Sequence, residues 1–151
     1  MPLIIDIQHA CSEQHLPSDA LLQQWLNAAG QSDTDGFEVC LRIVDTDEIT
    51  ELNHLYRQKN KATNVLSFPA DIPAELNLPL LGDIVICAQV VKQEAEEQNK
   101  EWLAHWAHMC VHGMLHLQGY DHIEDGEANI MEALEIQILQ HLGYTSPYGE
   151  Q

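Results

Sequence analysis

The run 101–117 constrains this chain more than any other stretch. Glu-Trp-Leu-Ala-His-Trp-Ala-His-Met-Cys-Val-His-Gly-Met-Leu-His-Leu contains no proline and a single glycine. On a helical wheel Trp102, Leu103, Trp106, Met109, Cys110, Met114 and Leu117 spread apolar surface over nearly every side. Such a helix cannot lie on a surface. It has to be covered all round, so the other elements must be arranged about it. Two residues past its end stands Gly119, a residue type that readily takes the left-handed conformation that stops a helix and reverses the chain.

The same helix carries histidines into that turn. His112 and His116 are four apart, so they differ by about 40° and roughly 6 Å of rise, and both imidazoles can reach one ion. In a continuing helix His122 would lie roughly 15 Å from His112 along the axis and point about 80° away. A reversal at Gly119 brings it back. The spacing therefore reads as a metal site of His112, His116 and His122 at the end of a central helix, with an open coordination position. Three neutral imidazoles leave the ion's double charge in place, which acidifies a bound water and attracts anionic oxygen. One divalent ion is expected, with zinc first and nickel or another transition metal compatible with imidazole. His105 and His108 complicate the choice. Relative to His108, residues His112, His105 and His116 fall at about 40°, 60° and 80°, and His108/His112 is itself an i, i+4 pair. Periodicity does not choose between the pairs; the Gly119–His122 continuation favours His112/His116 and leaves His105 and His108 as core or supporting residues. Asp121 either orients an imidazole from behind or serves as a turn residue.

A length of 151 residues suits one domain, 1–151, with a proper core. No stretch has the eighteen or more apolar residues of a membrane span, and the first residues lack a basic region and cleavage site, so a cytoplasmic protein without a membrane partner is expected. Cys11, Cys40, Cys87 and Cys110 form no CxxC pair and read as reduced small residues. The net charge of −18 argues against a general nucleic-acid binder, and no DNA partner is expected. Yet Arg57, Lys59 and Lys61 gather half of the chain's six basic residues into five positions. That patch is either an anion-contact site or a solvated loop after a helix.

Taken in order, residues 3–8 are β-branched and predict a first strand. Pro17 opens a helix to Ala29, stopped by Gly30. Residues 37–44 predict a second strand, and Asp45 or Thr46 caps a helix that delivers Arg57 at its end. Residues 64–68 read as a third strand ended by Pro69. Prolines 69, 73 and 79 then mark a loop expected to move. Residues 82–87 predict a strand buried on both faces, 88–98 an acid-rich helix, and 123–142 a last helix with Met131, Leu134, Ile138 and Leu142 at core spacing. The fold class expected is α+β with α/β-type layers: one compact domain, a mixed sheet of about four strands and about five helices.

His-x3-His-x2-Gly-x2-His is also the ligand spacing of metzincin proteases, whose motif begins His-Glu. Here Gly113 stands where that glutamate, the general base, would be, so peptide hydrolysis is not expected. The whole block, His112-Gly-Met-Leu-His-Leu-Gln-Gly-Tyr-Asp-His122, resembles the signature of the YbeY family of bacterial metal-dependent endoribonucleases. Thr63-Asn-Val-Leu-Ser-Phe-Pro69 with Arg57 before it, and Leu81-Gly-Asp-Ile-Val-Ile86, resemble that family's other hallmarks. The resemblance implies a metal in a cleft held by His112, His116 and His122, with Arg57 as the functional cation. It implies cleavage of single-stranded RNA in 16S rRNA 3′-end maturation and ribosome quality control, with the ribosome or its proteins as partners. The residues fit that chemistry: a cation and an arginine fork together stabilise charge on a phosphoryl oxygen, so Arg57 and His112 are the residues assigned to catalysis, with Lys59 and Lys61 steering the backbone. The competing class is a metal-stabilised, non-catalytic ribosome-associated factor, which the acidic surface suits.

Overall fold

The computed structural model describes residues 2–70, 72–76, 78–120 and 125–148. A four-stranded sheet runs in the order β1 (Ile4–Ala10), β2 (Glu38–Val44), β4 (Leu80–Cys87), β3 (Val65–Pro69). β1, β2 and β4 are parallel, and β3 pairs antiparallel on the far edge of β4. The helices are α1 (Asp19–Ala29), α2 (Thr46–Arg57), α3 (Ala88–Glu97), α4 (Trp102–Leu117) and α5 (Asp125–His141). The expected mixed sheet and five helices are therefore present, together with short 3₁₀ turns at Ser32–Thr34 and Ala74–Leu76.

Alternation along the strands sorts their side chains onto two faces. Val39, Leu41, Ile43, Ile84 and Ile86 join the larger core with Leu22, Trp25 and Leu26 of α1, Trp106 and Met114 of α4, and Met131 and Leu139 of α5. Val44, Leu66, Val85 and Cys87 face the other way, onto Ile49 of α2. β4 is buried from Ile84 to Cys87, as a strand covered on both faces should be. α4 is buried over His105–Val111, Gly113–Leu115 and Leu117, so the all-round apolar helix does lie inside, between the sheet and the outer helices.

Several boundaries differ by one or two residues from the sequence reading, β1 running on to Ala10 and β3 including Pro69, and two differences have a clear physical cause. α1 begins after Pro17, because Ser18 is the cap: its hydroxyl accepts the Leu21 N–H, which a proline cannot do. Pro17 is buried just outside the helix. β4 begins at Leu80, with Gly82 inside it. The register to β2 shifts there, from Glu38↔Leu80 to Val39↔Gly82, so one residue bulges. Gly82 has φ +140°, and a Cβ on it would stand 2.3 Å from the Phe68 carbonyl oxygen, which makes the position specific to glycine. Cys87 and Cys110 are buried and Cys11 and Cys40 half-buried, all as free thiols.

α4 sits unusually close to the sheet at one point. A Cβ on Gly113 would be 2.8 Å from Ile84 Cγ2 and 3.3 Å from Ser67 Oγ, and the Ser67 hydroxyl donates to the Gly113 carbonyl at 3.1 Å. The glycine that stands where a protease would carry its base is thus the contact that lets the helix backbone meet β3 and β4. Further along, Asn64 donates to the Glu94 carboxylate of α3, which in turn bonds His105 Nε2 at 2.9 Å. Edge strand, α3 and α4 are tied together by that chain of bonds.

Candidate metal centre and its surroundings

The helix end forms as the glycine requires. Gly119 has φ +98°; its N–H bonds the His116 carbonyl and the Tyr120 N–H bonds Leu115, the paired bonds of a left-handed C-terminal cap. The chain therefore turns directly after the second histidine. Asp121 and His122 lie outside the described residues.

His112 and His116 meet through their Nε2 atoms at 3.1 Å, with rings 4.6 Å apart and nearly perpendicular. Two nitrogens each about 2.0–2.1 Å from one tetrahedral zinc would be about 3.3 Å apart, so the pair is already close to the spacing a shared ion imposes. Both side chains are half-buried and reachable by a small solute, with 19% of the His112 side chain exposed.

Behind His112 lies a carboxylate that the sequence reading did not single out. Glu135 of α5 is fully buried. Its Oε2 is 2.6 Å from His108 Nε2 and 3.3 Å from His112 Nδ1, and its Oε1 accepts from the Tyr148 hydroxyl at 2.7 Å. Burial alone pushes the carboxyl pKa up, but the hydrogen bonds and charge of His108 and His112 outweigh it and hold Glu135 well below the usual carboxylate range. The same surroundings, burial first and then the Glu135 charge, push the Tyr148 hydroxyl up, so it stays a donor. A signal for Glu135 was present in the sequence. It stands four residues after Met131 and one after Leu134, on the apolar stripe of α5, and a carboxylate there needs buried partners.

His108, His112 and Glu135 are close enough to hold a metal ion, their donor atoms lying within 4.8 Å of one another. His112 belongs to both groupings, offering Nδ1 to one and Nε2 to the other. His105 and His108 are buried core residues, as expected, each with Nε2 against a carboxylate.

Arg57 is exposed at the end of α2, on the opposite face of the sheet from α4. β3 lies between them. Tyr56 packs edge-on against Phe68 at 5.0 Å, while the neighbouring Ser67 points the other way to Gly113, beside His112. The three cations are exposed, while the backbone that carries them is fixed by local bonds. Gln58 takes a left-handed conformation, the Lys59 N–H bonds the Asn53 carbonyl, and the buried Asn53 side chain donates to the Lys61 carbonyl at 2.9 Å.

Comparisons with known proteins bear on the fold and the family. The solution structure of a Thermotoga maritima protein superposes with a TM-score of 0.60 at 23% identity, covering 97% of this chain and 100% of that one, which establishes a shared fold. The endoribonuclease YbeY of Cellvibrio japonicus (strain Ueda107) is 56% identical over 147 residues, covering 97% of this chain and 83% of its own. A family model described as endoribonuclease YbeY matches residues 6–143, from the first strand past the last helix. With the glycine-turned histidine helix, the Ser67 contact and the bulged Gly82 strand all inside that span, the chain belongs to the endoribonuclease YbeY family.

Proposed function

We propose that this chain is a metal-dependent endoribonuclease that cuts single-stranded RNA in ribosomal RNA processing, at the 3′ end of 16S rRNA, in the cytoplasm and with the ribosome as its partner. Membership of an endoribonuclease family supports RNA cleavage, and no relative favours the non-catalytic alternative that the acidic surface suits. The observation that carries the proposal is the convergence of His112 and His116 on one point at the turned end of α4.

In this reading His112, His116 and His122 hold one divalent ion, zinc being the first choice for an all-imidazole set. A bound ion supplies positive charge that stabilises a phosphoryl oxygen and lowers the pKa of water. The protein's own share is positioning. His112 and His116 are fixed by a buried helix whose backbone is clamped to β3 through Gly113 and Ser67. Arg57, on the far side of β3, offers a planar fork to non-bridging phosphate oxygens, and Lys59 and Lys61 extend the cationic track on an otherwise acidic protein.

The test is cleavage of a labelled single-stranded RNA by metal-loaded protein, beside His116→Ala and Arg57→Lys chains with unchanged circular dichroism. His116→Ala should abolish cleavage; equal product from it would mark a contaminating nuclease and end the proposal. Arg57→Lys should lose about 10²–10³-fold in rate with metal still bound, since lysine cannot make the bidentate contact. Full activity there would remove the arginine clamp.

A further inference from the structure

The group behind His112, buried Glu135 with the partly exposed Tyr148, is not accounted for by the three-histidine reading. Glu135 and Tyr148 come from α5 and from the segment after it, and neither is part of the sequence motif. Distances separate two roles for Glu135. Ligand atoms of one tetrahedral zinc stand about 3.3 Å apart. The 2.6 Å between Glu135 Oε2 and His108 Nε2 is too short for two ligands of one ion, and is the length of a charge-assisted N–H···O bond. With Nε2 of His108 donating, Glu135 accepts from His108, from His112 Nδ1 at 3.3 Å and from Tyr148. An acceptor at Nδ1 puts the His112 proton there, so its Nε2 presents a lone pair toward His116.

We infer that Glu135 and Tyr148 are positioning residues for the metal centre: Glu135 fixes the ring orientation and tautomer of His112, and Tyr148 fixes Glu135. The inference rests on His112 and His116 being metal ligands, as proposed above. Removing the carboxylate takes away the acceptor that keeps the His112 proton on Nδ1, and a proton on Nε2 would block that nitrogen as a ligand. Outer partners of this kind are worth about 10–100-fold in metal affinity. Tyr148 acts one bond further out, so its effect is smaller, roughly 2–10-fold by the same reasoning.

The experiment measures zinc affinity by competition with a chromophoric chelator, and cobalt(II) visible spectra, on full-length wild type, Glu135→Gln, Tyr148→Phe and His116→Ala. Thermal unfolding of the metal-free proteins is recorded alongside. Glu135→Gln is expected to bind zinc about 10–100-fold more weakly while its cobalt spectrum keeps the wild-type shape, because the ligand set is unchanged. Wild-type affinity in Glu135→Gln overturns the inference. So does a changed cobalt ligand field, which would make Glu135 a ligand and not a support. If Glu135→Gln does not fold, Tyr148→Phe decides: weaker zinc binding with unaltered metal-free melting upholds the inference, and wild-type affinity overturns it. His116→Ala guards the underlying reading. Wild-type zinc affinity in that variant would sink the proposed ligand set itself, whereas loss of zinc there with no effect at Glu135 and Tyr148 sinks only the positioning role.

Discussion

At the scale of single residues, the histidines of α4 sit in two different surroundings. His112 and His116 are half-buried and face each other, while His105 and His108 are buried and each meets a carboxylate. His105 gives a pH prediction with a definite sign. Burial lowers its pKa below the ordinary 6.5, and the bond to Glu94 opposes that only in part. Below about pH 6.5 the unfolded chain therefore takes up a proton that the folded one resists, so this group's contribution is full above that pH and is lost as pH falls. Urea midpoints of the metal-free protein should drop between pH 7 and pH 5.5. The drop should be shallower in His105→Phe, and steeper in Glu94→Gln, which loses the partner that favours the charged ring. An unchanged slope in both variants would show that His105 does not carry the effect.

At the scale of elements, the closest approach in the fold is α4 against β3 and β4 at Gly113. Alanine there gains about 1 kcal/mol of helix propensity. It also drives a methyl into Ile84 Cγ2 at 2.8 Å, on a β-branched side chain that cannot swing aside, at a cost of about 1–3 kcal/mol. Gly113→Ala should therefore be destabilised by about 1 kcal/mol in urea titration of the metal-free protein, with a glutamate worse still. Stability equal to wild type would mean the helix can ride outward at no cost. The elements themselves were legible because their signals are local: alternation in β2, the Gly119 stop, the all-round apolar α4. What stayed hidden was long-range. Glu135 reaches His112 across 23 positions, and Tyr148 lies 13 beyond Glu135, so no spacing rule joins them. The relation of Arg57 to the helix was equally hidden, because it depends on β3 being the strand that separates them. The Pro17 error was of another kind: the cap was the serine beside it.

At the scale of the whole molecule, 24 acidic residues against six basic ones make the folded chain repel itself. Compaction brings those charges within a few Debye lengths, and the repulsion opposes folding. Adding sodium chloride from about 10 to 150 mM shortens the screening distance from roughly 30 to 8 Å and should raise the melting temperature of the metal-free protein. A fall over that range would mean that favourable ion pairs, such as Arg42–Glu48 at 2.6 Å, outweigh the repulsion. The same imbalance gives residues 57–61 their contrast: on an acidic body, three exposed cations, two of them on backbone bonded to the buried Asn53, form a local exception.

The link from Tyr148 through Glu135 to His112 has a consequence in time as well as in space. During synthesis the four strands and α4 are all made before α5 exists, and both supports of His112 come later in the chain than any of them. A nascent chain can therefore carry the histidine pair into solution with its back shell still missing. If the histidine pair holds an ion as proposed, a chain made only as far as α4 would hold it more loosely than one that has reached residue 148.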